Sequence, residues 1–101
     1  MIYETKIIIE GLDELFIGEY VINDLVKDLN VGDIVNNIIN IIKIGKPDIL
    51  ETTTCEGKIT RIINCLAKDG YTKEAKLVRI ITVRPNNVYY SLLNDICKKY
   101  A

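Results

Sequence analysis

Apolar and polar positions alternate from the start of the chain. Residues Ile2 to Glu10 and Leu15 to Ile22 are rich in β-branched and aromatic side chains, and Gly11-Leu12-Asp13-Glu14 between them supplies turn chemistry. That pattern predicts an antiparallel hairpin. Asn23 to Asn30 spans too few periods to decide between a helical turn and a third extended piece. From Asp33 the spacing changes: Ile34, Ile38, Ile41 and Ile42 fall at i, i+4, i+7 and i+8, with Asn36, Asn37, Asn40 and Lys43 on the opposite stripe. This predicts an amphipathic helix. Its β-branched and Asn residues are poor helix formers, so packing has to supply its stability. Gly45 and Pro47 end it, the first by tolerating a left-handed cap and the second by refusing helix continuation.

Asp48 to Thr54 then has the composition of a strand, and Thr53 with Glu56 matches a capping box. The helix expected after it carries Ile59, Ile62, Ile63 and Leu66 at i, i+3, i+4 and i+7, faces Lys58, Arg61, Asn64 and Lys68 outward, and closes at Gly70. Lys73 to Arg84 predicts a central strand, apolar on both faces at Val78, Ile80, Ile81 and Val83. Pro85-Asn86-Asn87 breaks it, and Tyr89, Leu92, Leu93, Ile96, Cys97 and Tyr100 keep a helical period to the end, with Lys98 and Lys99 favoured by the dipole of the last turn. The expected order is β-β-α-β-α-β-α. The expected fold is an α/β two-layer sandwich, a mixed sheet with helices mainly on one face. It forms one domain over residues 1–101, divided into an acidic N-terminal hairpin extension (1–30), an α/β core (31–84) and a C-terminal helix (85–101).

Composition narrows the chemistry. The 101 residues are 49% hydrophobic and 27% charged, enough apolar surface for one compact domain and too much for a disordered tail. The absence of histidine excludes imidazole acid–base catalysis and Ser-His or Cys-His nucleophile pairs. Ser91 is the only serine, the carboxylates show no metal-binding spacing, and the six glycines form no phosphate-cradling loop. The expectation is a non-enzymatic protein without metal or cofactor. Cys55, Cys65 and Cys97 have no CxxC spacing and suit reduced thiols in a cytoplasmic protein, a Cys55–Cys65 disulfide being the minority alternative. No apolar run approaches the roughly 20 residues of a membrane helix, and no signal peptide is apparent. Nineteen isoleucines and no glutamine hint at an AT-rich thermophile or one of its viruses.

Charge divides the chain. Residues 1–33 hold eight acids and two bases, a balance of −6, while residues 34–101 hold eleven bases and six acids, a balance of +5. The formal total of −1 therefore conceals a dipolar sequence. If Lys43, Lys46, Lys58, Arg61, Lys73, Lys76, Arg79 and Arg84 gather on one face, they can neutralise phosphates. The plainer alternative is that charges of both signs solubilise the surface.

Three local features carry a family likeness: Ile34-Val35-Asn36-Asn37-Ile38-Ile39, Gly45-Lys46-Pro47-Asp48-Ile49-Leu50, and Gly57-Lys58-Ile59-Thr60-Arg61-Ile62-Ile63-Asn64. They resemble the first helix, the approach to the second strand and the second helix of the Alba family of small archaeal nucleic-acid-binding proteins. Glu74 to Ile80 is similar to that family's third strand, and residues 31–84 form the Alba-like core. A second register sets Leu15-Phe16-Ile17-Gly18 as the first strand and Asn23 as the helix Asn. The family's Lys pair before its first helix is replaced here by Asn30-Val31-Gly32, and of its Arg-rich turn only Lys58 matches. The resemblance implies a dimer that binds DNA or RNA, and the charge pattern sets its phosphate contacts at Lys43, Lys46, Lys58, Arg61, Arg79 and Arg84. Asn36, Asn37 and Asn40 would supply hydrogen bonds to backbone or base edges, or else form a solvated face. The alternative is a small archaeal-virus or regulatory protein that binds another protein through its acidic N-terminal surface.

Overall fold

A computed structural model of the chain describes residues 3–21, 29–68 and 75–101. Five strands and one helix occur in the order β1 (Tyr3–Ile9), β2 (Phe16–Tyr20), β3 (Ile34–Lys43), β4 (Ile49–Lys68), β5 (Ala75–Pro85) and α1 (Asn87–Lys99). Each strand pairs antiparallel with the next. In a meander of five alternating strands the first and fifth run the same way, so closure must be parallel. β1 meets β5 in that sense, with Tyr3 opposite Leu77 through Ile9 opposite Val83, and the sheet becomes a closed barrel. The α/β two-layer sandwich with three helices is thereby overturned.

The hairpin expected at the N-terminus is β1–β2, and it forms part of the barrel wall. The two internal helices are replaced by strands. Residues 34–43 form β3: Val35, Ile39 and Ile41 point into the core while Ile34 and Ile38 remain 66% and 56% exposed outside. Isoleucines on both faces of one strand imitated a helical stripe, and the β-branched content that weakened the helix suits a pleated surface. Thr53 and Glu56 lie within β4, so the capping box is not formed.

The apparent helix over residues 59–66 has a different cause. β4 is 20 residues long and serves two pairings, with β3 from Ile49 to Lys58 and with β5 from Gly57 to Lys68. Its register slips between Ile59 and Arg61, where Ile59 opposes Val83, Arg61 opposes Thr82 and Thr60 is the extra residue of a β-bulge. One added residue turns the inward spacing of two into three, so Ile59 and Ile62 both face inward at an interval that mimics i, i+3. At Gly57 the strand lies close against β5, where a Cβ would meet the carbonyl oxygen of Arg84 and lie 2.7 Å from Pro85 Cα. Bulged strands bend, and such bends form the corners at which one sheet passes into another.

The core is built from alternate residues of all five strands, among them Ile7, Phe16, Ile39, Cys55, Ile59 and Ile81. Helix α1 closes one end of the barrel. Asn86 caps it by accepting from the Tyr89 amide at 3.1 Å, and Leu93 and Cys97 enter the core. Its C-terminal turn is tied down by the Tyr100 hydroxyl donating to the Leu50 carbonyl at 3.2 Å and by Lys99 bonding Glu51 at 3.1 Å. The Asn23–Asn30 ambiguity falls largely on residues 23–28, and the Gly70 cap and Lys73 on residues 69–74; both stretches lie outside the described residues.

Candidate functional site

The bulge in β4 determines where the basic residues go. In a regular strand that keeps Ile59 inward, residue 61 would also point inward. The extra residue turns Arg61 outward instead, opposite Thr82. Lys58 is the cross-strand partner of Arg84 on this outer face, and all three side chains are exposed. Lys58, Arg84 and Arg61 thus form a cationic trio beside the bulge of β4.

Two carboxylates share this surface. Arg84 donates from Nε and Nη2 to Glu10 Oε1 at 3.2 and 3.0 Å, and the Thr60 hydroxyl lies 3.2 Å from Glu10 Oε2. Glu10 therefore fixes the Arg84 fork by engaging two of its three nitrogens. Glu56 lies two residues before Lys58 on the same face of β4. Among the described residues, Lys58 and Arg61 have no ion-pair partner.

The other expected site residues lie elsewhere. Lys43 is at the far end of β3, nine residues from Ile34, the partner of Lys58, and hence roughly 30 Å away along the strand. Its Nζ lies 5.9 Å from the Phe16 ring centroid, and Lys46 is exposed in the following turn. Arg79 donates to the Asn64 side chain at 3.3 Å on the side of the β4–β5 hairpin opposite to the trio. Asn36 and Asn40 share the outer face of β3, where Asn40 accepts from Thr52 at 2.7 Å, but Asn37 has the inward parity of Val35 and Ile39. The expected Asn stripe is therefore divided between two faces.

The acidic and basic regions of the chain meet where Glu10 pairs with Arg84. Lys6 opposite Glu19 and Glu51 with Lys99 instead pair opposite charges within one region. Glu10 and Thr60 were not legible as neighbours of the trio, since only barrel closure brings Glu10 to Arg84. Spacing could have signalled the bulge: an inward Ile59 and Ile62 separated by Thr-Arg.

The remaining reactive groups are dispersed. Cys55, Cys65 and Cys97 are free thiols. Burial pushes Cys55 up to about 11 and raises Cys97, where Asp13 adds to the effect. Tyr20 is pushed up to about 12 by burial, with Cys55 beside it. Among the described residues no group of three Cys, Asp or Glu side chains could hold a metal ion, and no helix is long and apolar enough to cross a membrane. A groove of about 400 Å³ runs between α1 and the start of β4, with Glu51, Asp95 and Lys99 on its walls. No protein-family model, curated protein or solved structure matches this chain.

Proposed function

We propose that the chain is a cytoplasmic, non-enzymatic nucleic-acid-binding protein that holds backbone phosphates of DNA or RNA at Lys58, Arg61 and Arg84. The observation that supports this reading is the bulge, which turns Arg61 out of the barrel and sets it beside Lys58 and Arg84. Three exposed cations on adjacent strands offer charge to backbone phosphates, and the Glu10-oriented guanidinium of Arg84 retains donors for an anion. Glu10 and Glu56 lower the local charge, so binding is weak and its salt slope reflects only a few phosphate contacts. Contacts of this type carry little sequence information. Lys43, Lys46 and Arg79 lie outside the trio, and Asn36 is the nearest of the three asparagines, since its partner Glu56 borders the patch.

Fluorescence polarisation with short single- and double-stranded DNA and RNA tests the proposal. Micromolar binding is expected at ~50 mM salt, and removing Lys58 or Arg61 should lower the salt slope by about one each. No binding of any of these at low salt refutes it.

A second reading, a protein-interaction module, is favoured by Ile34 and Ile38, two exposed isoleucines flanking Asn36 on the outer face of β3. A protein partner retained after nuclease treatment and lost with Ile38→Lys would support it.

A further inference from the structure

Among the described residues, the second half of β4 has an open edge. Its first half is covered by β3 as far as Lys58, and two further bonds extend the cover by one residue: Gly32 N–H to the Ile59 carbonyl at 2.8 Å and Ile59 N–H to the Asp33 carbonyl at 2.9 Å. From Arg61 to Lys68, β4 pairs with β5 on one side and with no strand on the other among the described residues. Such an edge presents a row of backbone donors and acceptors to any extended chain. Edges are commonly blunted by bulges and charges. Here the bulge and Arg61 stand at one end and Lys68 at the other, leaving Ile62-Ile63-Asn64-Cys65-Leu66-Ala67 without a charge or a proline.

The side chains along this edge are self-complementary in one register. Antiparallel pairing about a two-fold axis through Asn64 sets Ile63 opposite Cys65 on the outer face and Ile62 opposite Leu66 on the inner face. Ile62, Ile63, Cys65 and Leu66 then all meet apolar residues, and Arg61 falls opposite Ala67, so no cation faces a cation. Moving the axis to Ile63 sets Ile62 against Asn64 and Arg61 against Cys65. An axis through Cys65 sets Ile62 against Lys68. Leu66 is 66% exposed and Ile63 36% exposed, so pairing would cover apolar surface that the single chain leaves in water.

We propose that the β4 edge pairs with the same edge of a second copy of this chain, antiparallel about Asn64, to form a homodimer with a continuous β5–β4–β4–β5 sheet. This contact is isologous and closes after two subunits, as a two-fold interface must. It does not depend on the phosphate reading.

Light scattering after size exclusion should give twice the 11.5 kDa chain mass. Leu66→Lys should give a monomer with an unchanged far-ultraviolet circular dichroism spectrum, because Leu66 is already largely exposed. In a Cys65→Ser background, Asn64→Cys should form an inter-subunit disulfide on mild oxidation, since directly opposed Cα atoms lie about 4.5 to 5.5 Å apart, within disulfide reach. Thr52→Cys in the same background, on the stretch of β4 covered by β3, should not. A wild-type monomer overturns the proposal. So does a dimer that Leu66→Lys leaves intact or that Asn64→Cys fails to cross-link.

Discussion

Glu10, just after β1 in the acidic third of the chain, accepts from both Nε and Nη2 of Arg84, 74 residues away. The two oppositely charged regions of the sequence therefore meet in the barrel wall, and the patch proposed for phosphates contains one of its own counter-charges. Glu10→Gln keeps an acceptor for Arg84 and removes the negative charge. The pair is largely solvent-exposed, so the expected stability cost is within about 1 kcal/mol. Polyanion binding should tighten at low salt, and the gain over wild type should shrink as salt screens the patch. Equal affinity for wild type and variant in low-salt polarisation titrations would place bound phosphates away from Arg84.

Gly57 permits the close approach of β4 to β5 beside the trio. A methyl group at this position runs into the Arg84 carbonyl and the Pro85 backbone, neither of which is a side chain able to swing aside. Gly57→Ala should cost about 2 to 3 kcal/mol, the scale of overpacking against a fixed neighbour. Chemical denaturation measures this. A variant as stable as wild type would show that β4 and β5 separate easily at this crossing.

The parts of the fold legible in the sequence are those with a single period. The N-terminal hairpin has a clear turn between two β-rich runs, β5 is a continuous apolar strand, and α1 keeps a helical stripe from Tyr89 to Tyr100. β3 and β4 misled for separate physical reasons. In β3, isoleucines occupy both faces, so that Ile34 and Ile38 outside combine with Ile41 inside into a false helical stripe. In β4, the bulge at Thr60 changes the inward interval. In both, β-branched propensity favoured strands over the apparent period. The cationic trio was legible only as three members of a longer set of basic residues. What separates Lys58, Arg61 and Arg84 from Lys43, Lys46 and Arg79 is strand register, which no local window contains.

Tyr20 ends β2 with its ring in the core and its hydroxyl buried without a hydrogen-bond partner among the described residues. An unpaired buried hydroxyl is a cost without a compensating bond. Tyr20→Phe removes the oxygen and keeps the ring, so it should stabilise the barrel by about 1 kcal/mol. For a domain of this size that is roughly 4 to 8 °C in Tm. A lower Tm would mean that the hydroxyl is bonded in solution.

The docking of α1 depends on pH through Glu51. Hydrogen bonds from Lys99 and Tyr100 hold the Glu51 carboxyl below its ordinary value of 4.5, and the charge of Lys99 adds to this. A carboxylate depressed in the folded state contributes stability above its unfolded value, and that contribution disappears as pH falls through the folded value. Lys99 is raised above 10.5, first by its bond to Glu51, so its contribution is complete below that value and is lost as pH rises through the folded value. Wild type should therefore be more stable than Glu51→Gln near neutrality, and the difference should close in acid below 4.5. Lys99→Met should show the matching convergence in alkali above 10.5. Tm measured across both limbs for the three proteins tests the pair, and a constant gap between wild type and Glu51→Gln through the acid limb would show that the carboxylate charge contributes nothing to holding α1 on the barrel.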